Sequence, residues 1–160
     1  MGPEEAQPPR SGVRIAVDVG TVRVGVAASD AGGILASPVA TLARDAKRGT
    51  DLDAVAGLVT EREAVEVLVG LPRHLSGREG SSVTMARRYA TQLAARIAPV
   101  PVRMVDERLT TVSAERDLAA AGMSARQRRA VVDQAAAVVL LQAELEALRR
   151  RGATDDGGAG

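Results

Sequence analysis

Arg14-Ile15-Ala16-Val17-Asp18-Val19-Gly20-Thr21 is the stretch on which the fold turns. Val13, Ile15, Val17 and Val19 alternate with Arg14, Ala16, Asp18 and Gly20, and β-branched residues at a period of two favour a strand. Asp18 then points to the face opposite the four branched residues. A carboxylate inside an apolar strand is costly unless something pairs with it. Gly20 permits a turn, and Val24-Gly25-Val26-Ala27-Ala28 reads as a returning strand. The expectation is a hairpin with an acid near the end of its first strand. Asp is also a common turn residue, so a turn or an arginine partner stays open for Asp18.

Working outward, Asp30-Ala31-Gly32-Gly33 reads as a turn and Ile34 to Leu42 as a third strand, with Pro38 favouring the sheet edge. Leu52, Val55, Ala56 and Val59 give a helical stripe over Asp51 to Arg62, with Asp51 as the expected cap. Val65 to Gly70 is apolar enough to be buried on both faces. Ser81 or Ser82 would cap a helix that runs to about Ile97 and is stopped by Pro99 and Pro101. Val102 to Glu107 is the next strand. Thr110 or Thr111 would open a short helix to about Gly122, and Ser124 a long one to about Arg151. Strands that alternate with helices pair in parallel through right-handed crossovers. The expectation is therefore one α/β domain over 13–151. Its mixed five-stranded sheet joins a three-stranded antiparallel meander to two parallel strands, flanked by helices. Residues 1–12 and 152–160 lack periodicity and read as disordered tails.

Composition narrows the chemistry. The 160 residues carry one Tyr, no Trp, no Phe and no Cys, so the core is aliphatic and thiolate metal sites are excluded. An aromatic stacking platform for bases is not expected. One histidine, His74, cannot build a histidine-rich site, so a metal would be held by carboxylates, which suits Mg²⁺ or Mn²⁺. The net charge of +1 gives no global signal for nucleic acid, which leaves local arginine clusters to supply one. No apolar run of membrane-spanning length and no signal-peptide core is present. No membrane association and a cytoplasmic location are expected.

Two more acids sit awkwardly. Glu107 ends a strand at the carboxyl edge, where open α/β sheets place ligands; a salt bridge with Arg103 or Arg108 is its alternative use. Asp133 shares a helix face with Arg129, Ala130, Ala136, Ala137 and Leu140, which is apolar apart from the arginine. It needs a metal or a partner arginine. Clustered carboxylates repel, so their natural resident is a divalent cation. A pair of such ions would suit phosphodiester hydrolysis. Arg126, Arg128 and Arg129 crowd a helix start, where the macrodipole disfavours cations and welcomes anions, so phosphate is a fitting partner. Pairing with Glu115 or Asp117, or plain solvation, is the alternative. Arg73, His74 and Arg78 form a second basic group whose contact with substrate is left open.

Four motifs in order resemble the YqgF, or RuvX-like, family. They are Asp18-Val19-Gly20-x-x-Arg23-x-Gly25-Val26-Ala27-x-Ser29-Asp30, Val69-Gly70-Leu71-Pro72, Asp106-Glu107-Arg108-Leu109-Thr110-Thr111, and Asp133-x-x-Ala136-Ala137-x-x-Leu140-Leu141-Gln142. The resemblance covers about Val13 to Arg149. It implies a ribonuclease H-like fold related to Holliday-junction resolvases, and a hydrolase that processes the 5′ end of pre-16S ribosomal RNA. It implies that Asp18, Glu107 and Asp133 are the catalytic, metal-holding acids, and that Arg23 sits at the site edge to orient substrate; Arg126, Arg128 and Arg129, read from the helix start, would join it in binding substrate. Nucleic acid is the expected partner, pre-rRNA ahead of branched DNA, for a monomer or a homodimer. Two other functions compete. A junction resolvase would need two sites on a symmetric dimer. A non-catalytic module would bind nucleic acid without cutting. Asp18-Val19-Gly20-Thr21 also resembles the phosphate loop of sugar kinases and actin-like ATPases, but the chain is too short for their second lobe.

Overall fold

The computed structural model describes residues 11–72, 80–107 and 125–156, with side chains in the last segment from 134 to 153. Strands β1 (Arg14–Val19), β2 (Arg23–Ser29) and β3 (Ala36–Ala43) are followed by helix α1 (Thr50–Glu61). Strand β4 (Glu66–Leu71), helix α2 (Gly80–Ile97), strand β5 (Val102–Asp106) and the long helix α3 (Ala125–Asp156) complete the described order. The sheet order is β3-β2-β1-β4-β5. β1 pairs antiparallel with β2 and parallel with β4; β2–β3 is antiparallel and β4–β5 parallel. This is the mixed five-stranded sheet that the sequence pattern predicts.

The period of two sorts the core into two layers. On one face Ile15, Val17, Val19, Val67 and Val69 meet Leu52, Val55 and Val59 of α1 and Tyr89, Leu93 and Ile97 of α2. On the other, Ala16, Ala27, Leu68 and Val105 meet Ala137, Leu140, Leu141 and Leu145 of α3. The first face is built from branched side chains. The second uses alanines, which lets α3 lie close to the sheet. Burying one of its leucines contributes about 1.5–3 kcal/mol.

Several boundaries differ from the sequence reading, each for a local reason. β3 starts at Ala36 rather than Ile34, because the Asp30 carboxylate accepts the Ile34 and Leu35 N–H groups, each at 2.8 Å. Pro38 does lie on the edge strand, beside a bulge: Val26 pairs with Ala40 but Ala27 with Pro38. Asp51 is not the cap of α1. Gly49 holds that position with a left-handed φ of 67°, and Asp51 is buried in the first turn. It lies 3.7 Å from Arg44. α2 starts at Gly80, ahead of both candidate serines, and α3 runs to Asp156, beyond Arg151. The expected short helix after Thr110 and the Ser124 cap lie outside the described residues. Among the described residues no helix is long and apolar enough to cross a membrane.

Candidate active site at the carboxyl edge

β1, β4 and β5 run in parallel and end at one edge. Asp18 is the last residue but one of β1 and is 7% exposed. Its side chain belongs to the Ala16 face, toward α3. Across β2 it stands opposite Gly25. Val17 pairs with Val69; one more residue of that register sets Asp18 beside Gly70. The turn behind it is tight. Gly20 N–H donates to Arg23 O at 2.8 Å, and a Cβ on Gly20 would stand 2.8 Å from that same oxygen. Arg23, on the Gly25 and Ala27 side of β2, belongs to the Asp18 face.

Gly70 brings the second acid in. A Cβ there would stand 2.7 Å from Glu107 Oε1 and 3.2 Å from Leu140 Cδ2. The missing side chain is thus the space in which the Glu107 carboxylate lies, next to the strand that carries Asp18. The alternative of an Arg103 bridge to Glu107 is replaced by another contact: Arg103 Nη2 reaches Glu66 Oε1 at 3.1 Å and Glu144 Oε1 at 2.8 Å. Burial would lower the Arg103 guanidinium, but Glu66 and Glu144 together hold it above its ordinary value. Asp106, one residue along, alternates to the other face, as the strand period requires.

α3 runs antiparallel to β5. Leu140 touches the Gly70 position near the carboxyl edge, whereas Glu144 meets Arg103 nearer the amino edge. The amino-terminal half of α3 therefore extends past the carboxyl edge. Asp133 lies on α3 seven residues before Leu140, about 10 Å along the axis and on the same stripe. Arg126, Arg128 and Arg129 lie on its first turns. The side chains of these four residues are outside the described set, as are Arg73, His74 and Arg78 altogether.

Among the described residues no three Asp, Glu, His or Cys side chains are grouped closely enough to hold a metal. Glu107 lies over the Gly70 cradle that a Cβ would fill, and strand register sets Asp18, a second hard oxygen donor, on the neighbouring strand. With no cysteine in the chain, that donor chemistry fits a divalent cation such as Mg²⁺ or Mn²⁺.

Gly70 as the seat of Glu107 is a feature that sequence reasoning noted only as part of a motif. Glu66, inside the apolar Val65 to Gly70 run, is the other such feature. It is 1% exposed and accepts from Arg14 Nε at 3.3 Å as well as from Arg103. An acid at that place in an otherwise apolar strand was the available signal.

Comparison with known proteins agrees with this fold. The family model RuvX, described as Holliday junction resolvase, matches residues 12–147. A protein of Frankia casuarinae named "Putative pre-16S rRNA nuclease" is 60% identical over 145 residues, covering 91% of this chain and 71% of its own. One of the same name from Mycobacteroides abscessus is 53% identical over 155 residues, covering 97% and 92%. Among solved structures, Thermus thermophilus RuvC in complex with a Holliday junction substrate superposes with a TM-score of 0.55 at 17% identity, covering 89% of this chain and 97% of RuvC. That likeness extends to the fold.

Proposed function

From the premise that this chain belongs to the RuvX (Holliday junction resolvase) family, we propose that it is a nuclease whose favoured substrate is the 5′ region of pre-16S rRNA. The observation that carries the site assignment is the placement of Glu107 over Gly70, beside Asp18, at the sheet's carboxyl edge. The names of relatives 53–60% identical over nearly the whole chain support the RNA substrate. The family description supports a second reading, cleavage of four-way DNA junctions.

Asp18, Glu107 and Asp133 would hold a divalent cation, Mg²⁺ or Mn²⁺. When bound, that ion supplies Lewis-acid polarisation of the phosphate and a lowered water pKa. A pair of ions, which the three acids would hold together, is the finer form of this reading. The protein's own part is placement. Asp18 is carried by β1 and Glu107 by the end of β5, on either side of β4, and α3 packs against the same face. Arg23 faces the same side and is suited to a phosphate oxygen. Arg126, Arg128 and Arg129 extend the positive charge along the overhanging start of α3, where a polyanion would pass.

The test is incubation of purified protein, with Mg²⁺ or Mn²⁺, with a labelled pre-16S leader RNA and a labelled four-way DNA junction, using Asp18→Asn as control. Cleavage of the RNA that the variant loses is expected. Symmetric cleavage of the junction alone would move the substrate to DNA. No cleavage of either, with binding intact, would leave a non-catalytic module.

A further inference from the structure

We propose that the groove between the β3–α1 loop and α2 is a second phosphate site, one that holds the flanking nucleic-acid strand after it has rounded the sheet's carboxyl edge. The presence of a strand rests on the nuclease reading; the site itself rests on the following.

Two adjoining hollows, about 150 and 360 Å³, share Arg44, Tyr89 and Gln92. The first adds Lys47, Arg48 and Arg96, the second Arg88. Together the linings carry those five cations against two carboxylates, Asp45 and Asp51, and Arg96 also pairs with Asp53 at 3.0 Å, which leaves the groove positive in a chain whose net charge is only +1. Both acids have internal work. Asp45 accepts the Arg48 N–H at 3.0 Å and the Thr50 hydroxyl at 2.8 Å, and Asp51 faces Arg44.

The floor of the groove has donors to spare. Tyr89 is 2% exposed, and its hydroxyl has no hydrogen-bond partner among the described residues; nor has Arg44 Nη1, also buried. Arg44 is nonetheless held still. Its Nε faces Asp51 at 3.7 Å, and its guanidinium lies 5.2 Å above the Tyr89 ring. Burial, then the nearby Asp51 carboxylate, raises the Tyr89 phenol well above its usual range, so it keeps its proton. Buried donors left unmade are costly. A stacked arginine beside a neutral phenol, both with N–H or O–H unspent, is suited to phosphate oxygens.

Position ties the groove to the acids. Arg44 N–H donates to Val22 O at 2.8 Å, so the loop is pinned to the turn that follows Asp18. Asp18 pairs with Gly25, and Gly25 with Thr41. Two strand spacings and three residues of rise put Arg44 roughly 14 Å from Asp18. That is a span of about four phosphates of a helical strand.

The test measures binding of a labelled single-stranded RNA of about twelve nucleotides to the full chain in EDTA, over a salt series. The variants are Arg44→Gln with Arg88→Gln, and Lys47→Gln alone. Lys47 is exposed, so its replacement reads the groove even where the double variant loses its fold. The expected result is a salt slope reduced by about 0.7 for Lys47→Gln and about 1.4 for the double variant, with affinity lowered about tenfold in the latter. Unchanged slopes would overturn the proposal, as would wild-type protein that binds no strand. If inorganic phosphate binds the wild type but not the double variant, while strand affinity is the same in both, the groove is a free-anion site and the strand is not its ligand. Groove-dependent binding without cleavage once Mg²⁺ is restored would leave the groove standing and overturn the nuclease reading. Cleavage with slopes unchanged would do the reverse.

Discussion

The α3-facing side of the sheet buries carboxylates at both ends, and the two ends treat them differently. At the amino edge Glu66 is clasped by Arg14 and Arg103, and Arg103 passes the charge on to Glu144 and Arg151. Four residues along the same face of β4, Gly70 replaces a side chain with space, and the neighbour drawn into that space is another acid, Glu107, beside the Asp18 strand. An acid matched by arginines of its own sheet fastens a helix. Acids brought to the carboxyl edge, where parallel strands end, are hard oxygen donors suited to a divalent cation. Burial alone therefore does not assign a carboxylate its role; place in the fold separates the two ends, an arginine clasp at one and a glycine seat at the ligand edge at the other.

The sharpest way to break this contrast is to neutralise one acid at each end. Asp18→Asn should lower cleavage by on the order of 10²–10³-fold, a loss typical of removing one preorganised electrostatic group, in a protein that still folds. Single-turnover kinetics on the cleaved substrate would show it. Glu66→Gln should instead lower stability by about 3 kcal/mol, because the buried Arg14 then loses the Glu66 charge while Arg103 keeps Glu144. Urea unfolding would measure this, and activity per folded molecule should persist. Gly70→Ala sharpens the comparison from the middle. The new Cβ must displace Glu107 or Leu140, so cleavage should fall by about 10²-fold, with only a small change in melting temperature. Cleavage unaffected by Gly70→Ala would mean that Glu107 does not need its present seat.

A smaller effect lies outside that face. The Arg48 N–H and then the Thr50 hydroxyl hold Asp45 below the usual carboxylate value of 3.8. A carboxyl depressed in the folded state contributes stability above that value and loses it as pH falls through the folded one. The 45–50 loop should thus loosen only below pH 3.8, and Asp45→Asn should remove the transition. Amide shifts of Lys47 and Arg48 followed by NMR would report it.

The two ends were unequally legible in the sequence. Asp18 announces itself because the period of two is local, and a charge that interrupts it is visible in five residues. The α3 stripe from Asp133 to Leu140 is visible for the same reason. What brings Glu107 onto Gly70 is a parallel register between strands separated by a helix, and no local pattern encodes it. The Glu66 clasp escaped because its partners Arg14 and Arg103 are distant in the chain. Asp51 looked like a cap by residue type, but a left-handed Gly49 starts α1 and frees Asp51 to face Arg44. Ile34 and Leu35 looked like strand, yet one carboxylate from Asp30 takes their N–H groups first. In each case a long-range or side-chain partner outbid the local preference.

The most direct measurement is thermal melting of wild type and Asp18→Asn, each with and without Mg²⁺ or Mn²⁺. If the carboxyl-edge acids are a cation site, wild type and variant should differ in their response to metal. Added metal should raise the wild type and leave the variant unmoved. A variant that melts well below wild type in EDTA, with metal shifting neither, would make Asp18 a structural acid like Glu66 and contradict the account.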